Sequence, residues 1–416
     1  MRKLNAGALQ MVTFIIVVIA LLLSSVLILV HIHKQFRLQT DHVVESIHLV
    51  DRAMNYSLTH NLNNQDTTSV SVFDESYKSL KVKTDFWGVF EKVFAESQIK
   101  HKKINRIALV GQQPTQERTS LFLKDNKKAL VIVGQTKIEG LTYLPKRGVK
   151  TGNIQGQSYY GTSYIYGSVK DSRGFPELDK ALKEHLWTYI APSFLHQKGV
   201  QLIDLASGEK IINSFKNKLQ LAYSHKGITL SAVEVDGHII IKSDTKISVE
   251  DTATLNDVIL IAPIIEIRKN VQGVFQAFAT KMITTAENVK LGYPSALVLF
   301  GENKVESEDH VLEIKSNGYI KGSIMYLGNP IANNYDAQIK INNNAIIEGE
   351  VYCERNLELR GTVLGSVYTN NFIVKESGTT YQNHLFNAKI GINHLSQEYV
   401  GVVSANNTKG IVKWLY

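Results

Sequence analysis

The stretch Ile320-Lys321-Gly322-Ser323-Ile324, echoed by Ile347-Glu348-Gly349-Glu350-Val351 and Val363-Leu364-Gly365-Ser366-Val367, decides the fold. In an extended strand alternate side chains share a face, so the two apolar residues and the glycine between them point the same way. Each phrase predicts a short strand with a narrow place in its buried side. The same phrase stands at Ile165-Tyr166-Gly167-Ser168-Val169 and Val271-Gln272-Gly273-Val274-Phe275, and in part at Ile138-Glu139-Gly140 and Ile154-Gln155-Gly156. The last three glycines lie 27 and 16 residues apart, and Gly140 and Gly156 are again 16 apart. Such a period suits a solenoid whose turns stack through parallel strands. Asn342-Asn343-Asn344 and Asn370-Asn371 offer residues that tolerate the left-handed corners of tight turns. A parallel β-helix over residues 136–400 is therefore expected. A β-sandwich would alternate as well, but it gives no reason for the recurring central glycine.

Moving outward, Pro176 to about Tyr223 interrupts the pattern. Leu178, Leu182, Leu186, Tyr189 and Ile190 stand at helical spacing with Pro192 beyond, which predicts a helical insertion near 176–223 covering the end or side of the solenoid. Residues 401–416 are expected to form a C-terminal cap.

At the other end, no charge occurs from Ala8 to Val30. Those residues span about 34 Å as a helix, enough for a hydrocarbon core of about 30 Å. A cleaved secretory signal would be shorter and would end in small residues, whereas this run ends in Val30-His31-Ile32-His33-Lys34. A transmembrane helix over 8–31 is expected, behind a short basic leader or tail at 1–7. Arg2 and Lys3 flank one side and Lys34 and Arg37 the other; a short basic N-terminus stays in the cytoplasm, which puts the body outside it. His31 and His33 are not a metal pair, because alternate residues of a helix do not share a face. Thr40, Val43, Ile47, Val50, Met54 and Ser57 then recur at spacings of 3, 4, 3, 4 and 3, an amphipathic extension over 32–60. Val43, Ile47, Val50 and Met54 would form its seam with helices of a filament or complex.

Residues 61–135 read as a small α+β collar. It holds an amide-rich loop, a helix at Asp85–Phe94 with Phe86, Phe90, Val93 and Phe94 on one face, and β-like runs at Ile104–Val110, Leu121–Leu123 and Ala129–Val133. The fold class is thus mainly β, with a long N-terminal helix, a collar and a parallel β-helix carrying a helical insertion.

Two resemblances attach to these residues. The leader Met1-Arg2-Lys3-Leu4-Asn5-Ala6-Gly7, the apolar run opening at Ala8-Leu9 and the amphipathic extension resemble the N-terminus of type IV pilin-like proteins, including minor pilins and pseudopilins. The resemblance covers about 55 residues and implies cleavage by a prepilin peptidase after Gly7, leaving Ala8 first, with the apolar half-helices packed in a filament core. The sequence departs from the family at the fifth mature position, where Val12 stands in place of the usual Glu. Separately, Ile320 to about Ile392, with Leu357-x-Leu359-x-Gly361-x-Val363-x-Gly365-x-Val367, resembles the β-helix of bactofilins, scaffolds that polymerise end to end. This chain departs from them by its long rod and uneven repeats.

Composition narrows function further. The chain has 416 residues, 44% hydrophobic and 20% charged, with 28 glycines against 7 prolines, which excludes a disordered or collagen-like chain. One cysteine, Cys353, rules out an internal disulfide or a multi-thiolate zinc site, and its parity with Ile347, Gly349 and Val351 predicts a buried packing residue. The net charge of +8 is dispersed and gives no argument for nucleic acid. Phosphate-loop, zinc-protease, nucleophile-elbow and EF-hand motifs are absent, and Glu91, Glu96, Asp171, Glu177, Asp179, Glu308 and Asp309 show no evident pairing. No catalytic residue, cofactor or metal is expected. Tyr160, Tyr164 and Tyr166 share strand parity and would offer either a ladder for a glycan or partner, or ordinary stacking along the solenoid. The cluster Lys146, Arg147 and Lys150 reads as a solvated loop.

The expectation is a non-enzymatic structural protein of a bacterial envelope, anchored in the inner membrane. Its body lies in the periplasm, or at the cell surface if assembled in a filament. The alternatives are a plain bitopic anchor, a membrane-tethered polymerising scaffold that forms a homo-oligomer, and a carbohydrate-binding or carbohydrate-cleaving β-helix.

Overall fold

The computed structural model describes residues 6–60, 62, 67–69, 78–114, 117–196, 199–206, 208–302, 309–403 and 408–415. It divides into one unit of Met1–Lys83 with Phe94–Arg106 and a second of Thr84–Val93 with Ile107–Tyr416. Residues 1–5 of the leader expected at 1–7, most of the loop after residue 60 and Glu308 fall outside the described residues.

In the first unit, helix α1 runs unbroken from Ala6 to Thr59, 54 residues. With no proline anywhere and no glycine past Gly7, nothing in its interior removes a hydrogen bond or loosens the backbone. Its first half is exposed on all sides, Leu9 through Val30 included, and it is long and apolar enough to cross a membrane. Its second half has a sided character: Ser46, Leu49, Val50, Ala53, Met54 and Ser57 are buried while His48, Arg52 and Asn55 face out. The strand residues of this unit meet that half through Ser97 Oγ, which donates to the Ser46 carbonyl at 2.9 Å, and through the ion pairs Lys78–Glu45 and Arg106–Asp51.

The helix expected at Asp85–Phe94 does not form. Lys78–Trp87 and Phe90–Ile99 are strands that turn at Gly88, whose φ is +62°. Alternation decided the outcome: Leu80, Val82 and Thr84 on one strand, and Val93, Ala95, Ser97 and Ile99 on the other, are all buried. Together with Lys102–Gln113, Thr67–Ser69 and Thr408–Leu415 they make a five-stranded sheet, so the described part of the collar contains no helix. The last strand is not a cap. Ile411 pairs antiparallel with Val110 and Leu415 with Ile107.

The second unit is mainly β, a closed sheet of parallel pairings. Three apolar rows run across it. One passes through Ile241, Leu260, Ala277, Leu297, Ile324, Val351 and Val367. A second passes through Leu255, Gly273, Leu291, Ile320, Ile347, Val363, Ile390 and Ile138. The third is Ile228, Ile247, Ile265, Ile283, Leu312, Ile339, Leu357 and Phe372. Nearly all of these side chains belong to one buried core, so burial of apolar surface from three directions is what holds the strands together. Gly273 stands within the second row, so its phrase is out of phase with the others. Ile154-Gln155-Gly156 is not a coil fragment either: Gln155 and Gly156, at φ +51° and +78°, form the turn of a small antiparallel hairpin.

The central glycines have a different cause from the one expected. Gly322, Gly349 and Gly365 sit in register with φ of +139°, +146° and +153°. A Cβ on each would lie 1.9, 2.0 and 1.8 Å from the carbonyl oxygen of Ser295, Gly322 and Gly349 respectively. The narrow place is the approach of the preceding strand's backbone, and no side chain fits there.

The order of strands is also not sequential. Beyond Val367 the next partner is Leu121, followed by Thr142 and Val169. Residues 119–144 therefore stack on the far side of Thr362–Glu376, so the stacked strands begin before the boundary expected at residue 136. Residues 172–196 then return along the outside of the sheet. Phe175 lies 5.3 Å from Tyr352, Trp187 5.1 Å from Phe300 and Tyr189 4.8 Å from Phe278. This strap contains helix α2, Lys180–Thr188, with Asp179 capping the Leu182 N–H and with Leu182 and Leu186 buried. The insertion covers a side and ends earlier than expected, since Gln201–Ile203, Lys210–Asn213 and Gln220–Ser224 are already strands.

Candidate functional site

Gly7 lies in the first turn of α1, with open space where a Cβ would stand. The peptide bond to Ala8 is thus in an uncrowded, exposed part of the chain. The seam expected for partner helices is occupied internally: Val50 and Met54 are buried within the chain, and Val43 and Ile47 are half-buried. Most of the apolar side chains left uncovered along α1 belong to its first half.

Tyr160, Tyr164 and Tyr166 are all exposed, at 68%, 48% and 37%, but they do not form the expected ladder. Apart from the single bridge of Tyr166 to Glu139, residues 159–168 are not paired in strands, so parity has no meaning for them. Tyr164 contacts Tyr159 edge-on at 6.1 Å, while the Tyr166 hydroxyl lies 3.1 Å from Thr162 Oγ1 and its ring under Lys137 Nζ at 5.4 Å. Tyr164 and Tyr166 thus engage local neighbours rather than a common row.

The structure assembles a different constellation from the junction between residues 119–144 and 362–376. Glu350 is buried there; its Oε2 accepts from Val402 N at 2.7 Å and Val403 N at 3.2 Å, and Arg118 stands 3.7 Å from Oε1. Burial pushes this carboxyl up from its ordinary value, opposed by the two backbone donors and the guanidinium. Arg118 also donates to the Tyr399 carbonyl at 2.6 Å and lies 5.1 Å over the Tyr399 ring. Beside it opens a cleft of about 470 Å³, lined by Phe122, Tyr143 and Tyr368 together with Arg118, Lys170 and Glu177. No local motif announces this cleft, since its residues come from strands that are distant in sequence and paired out of order.

Cys353 is buried and free, and burial pushes its thiol up to about 12, as suits a packing residue. Asp171, Glu177 and Asp179 are exposed, and Glu91 is committed to Lys409 at 2.6 Å. Among the described residues no three His, Cys, Asp or Glu side chains gather in a way that would hold a metal ion.

No family model and no curated protein matches the chain. Among solved structures, it is similar to the competence-associated pilin ComZ from Thermus thermophilus, at 9% identity over 85% of this chain and 87% of that one. The TM-score of 0.20 means that the two backbones do not superpose as one fold.

Proposed function

We propose that the protein is a non-enzymatic, membrane-anchored component of a bacterial cell envelope, of the type IV pilin-like kind. The observation that carries this reading is α1: one continuous helix whose first half is uncharged and exposed on every side, and whose second half is docked on strands of its own unit. An exposed apolar surface of that size is not tolerated in water, so acyl chains or the same segment of other copies would cover it. Cleavage after Gly7 would leave Ala8 at the start of the assembly helix. The basic N-terminal flank favours a body outside the cytoplasm, in the periplasm or displayed on a filament. The three stacked apolar rows favour reading the β unit as a parallel β-helix, the part that meets partners.

Mass spectrometry of the protein from membranes of its bacterial host tests this. A mature chain beginning at Ala8 is the expected result. A chain still beginning at Met1 overturns the pilin-like version and leaves a plain bitopic anchor, while recovery in the soluble fraction overturns the anchor as well.

A second reading is a tethered, bactofilin-like scaffold that polymerises through its ends. It is favoured by the exposed strands Val169–Asp171 and Gln201–Ile203, for each of which a single parallel register, to Thr142–Leu144 and to Gln220–Ala222, is found among the described residues. Filaments of the full chain in detergent, seen by negative-stain electron microscopy, would support it; a monodisperse monomer at high concentration would remove it.

A further inference from the structure

Strands Phe90–Ile99 and Lys102–Gln113 are joined by a two-residue turn, Lys100-His101, in which Lys100 takes a φ of +53°. Two contacts give the direction of this hairpin along α1. Arg106, five residues past the turn, pairs with Asp51, whereas Ser97, three residues before it, donates to the Ser46 carbonyl at 2.9 Å. The strands therefore run toward the apolar half of α1 as they near their turn. At about 3.3 Å per strand residue the turn lies about 10 Å beyond Ser97, which brings it level with α1 at about residue 39, since a helix rises about 1.5 Å per residue.

That level is rich in cations. Lys34 and Arg37 are exposed on α1, where residues 31–40 contain no acid, and Lys100, His101, Lys102 and Lys103 are exposed at the turn. The ion pairs here, Lys103–Glu96 at 3.3 Å and Lys78–Glu45, use none of Lys34, Arg37, Lys100 and Lys102, and the exposed Asp41 is a single opposing charge. We infer that this basic girdle, placed where α1 leaves the bilayer, binds the anionic phospholipid headgroups of the leaflet on the body's side. The inference rests on the membrane-anchored reading of α1.

Position and composition select lipid over a soluble polyanion. Lys34 and Arg37 stand about 6 and 10 Å past Val30, the end of the uncharged run, and the turn about 14 Å past it. Flexible lysine stems bring these charges within a Debye length, about 8–10 Å, of a headgroup layer, where each basic side chain strengthens adhesion to an anionic surface. Exposed Ile32, Phe36 and Leu38 are interleaved with the α1 cations. At a bilayer boundary such apolar side chains reach acyl chains while the basic ones reach phosphate. A nucleic acid would neutralise the cations but leave Ile32, Phe36 and Leu38 uncovered.

The test reconstitutes the full chain in nanodiscs of phosphatidylcholine, alone or with about one-third phosphatidylglycerol, and follows amide hydrogen exchange from Lys100 to Lys103 at low salt. Exchange in the anionic discs is expected to be slower by about threefold or more, and the difference to vanish at about 0.5 M salt and in the double variant Lys100→Gln, Lys102→Gln. Both lysines are exposed, so the variant changes charge rather than packing. Equal exchange in the two kinds of disc, or a difference that survives both substitutions, overturns the inference and leaves the anchor standing. A chain that does not enter the discs overturns the anchored reading and this inference with it. Protection of the turn by a DNA duplex but not by anionic discs overturns the assignment to lipid.

Discussion

Leu121 lies beside Val367 in a parallel pairing, with Phe122 beside Tyr368 and Leu123 beside Thr369. A strand near the start of the β unit is thereby joined to one near its end. The joint buries Leu121 completely in the common core.

Leu121→Ala is accordingly expected to cost about 2–5 kcal/mol, the loss of buried methyl groups plus the cavity left behind. Chemical denaturation of the detergent-solubilised chain measures it. A loss under about 0.5 kcal/mol would mean that this joint is not part of the cooperative core.

Gly349→Ala should be worse tolerated than its size suggests. Its φ of +146° is unfavourable for alanine, and the new Cβ would stand 2.0 Å from the Gly322 carbonyl oxygen. A cost of at least about 2 kcal/mol or a failure to fold is expected. Gly227→Ala, whose Cβ would find its nearest neighbour at 3.6 Å, serves as the near-neutral comparison in the same melting experiment.

Two histidines make stability fall in acid. Burial holds His185 and His238 down near 4, from an ordinary 6.5, with Lys92 lowering and Asp85 raising both. Burial and the Lys92 ammonium, 3.5 Å from His238 Nε2, favour the neutral ring of His238 against the bond its Nδ1 donates to the Asn217 carbonyl at 3.1 Å, which favours the charged one; His185 Nε2 lies 3.1 Å from the Tyr189 hydroxyl. Above pH 6.5 both states are neutral and nothing is gained or lost. Between about 6.5 and 4 the unfolded chain takes up protons that the folded chain refuses, and stability declines by about 1–3 kcal/mol per histidine. Melting temperatures across pH 7.5 to 4.5 should fall, and the slope should flatten in His185→Gln and His238→Gln. An equal slope in both variants would exclude this origin.

Tyr189→Phe removes the acceptor of the Gly88 N–H, a hydrogen bond of 2.9 Å in a buried place. Leaving that donor unpaired is expected to cost about 1–3 kcal/mol, although the ring and its packing on Phe278 remain. Faster hydrogen exchange at Gly88 in the variant would report the same loss locally; unchanged protection there would contradict it.

Cys353 should be silent toward an aromatic disulfide reagent while the protein is folded, since it is buried and its thiol is pushed up to about 12. Its reaction should appear only with unfolding and follow the same denaturant midpoint. Reaction of the native protein within seconds would place the thiol at the surface.

Much of the candidate surface was not legible beforehand, for reasons visible in particular residues. Tyr160, Tyr164 and Tyr166 have the spacing of a strand face, yet their segment lacks strand partners on which that spacing would act. Phe86, Phe90, Val93 and Phe94 have helical spacing, yet the period-2 pattern of Val93, Ala95, Ser97 and Ile99 and the turn at Gly88 prevailed. Asn344 takes the left-handed corner expected of it, at φ +62°, but Asn370 and Asn371 lie inside a strand and bind Asn126 instead.

What the sequence determined by itself is what short-range periodicity encodes. The unbroken α1, its change from uniformly apolar to sided, the alternation around Gly322, Gly349 and Gly365, the helix near residue 180 and the burial of Cys353 each follow from residues within a few turns or strands of one another. Only the tertiary structure decided which edges meet. Pairing Leu121 with Val367, laying the strap over Tyr352 and Phe278, and joining Ile411 to Val110 depend on which backbone edges remain free once neighbouring strands have formed. Backbone hydrogen bonds carry little side-chain identity, so that choice leaves no local pattern to read.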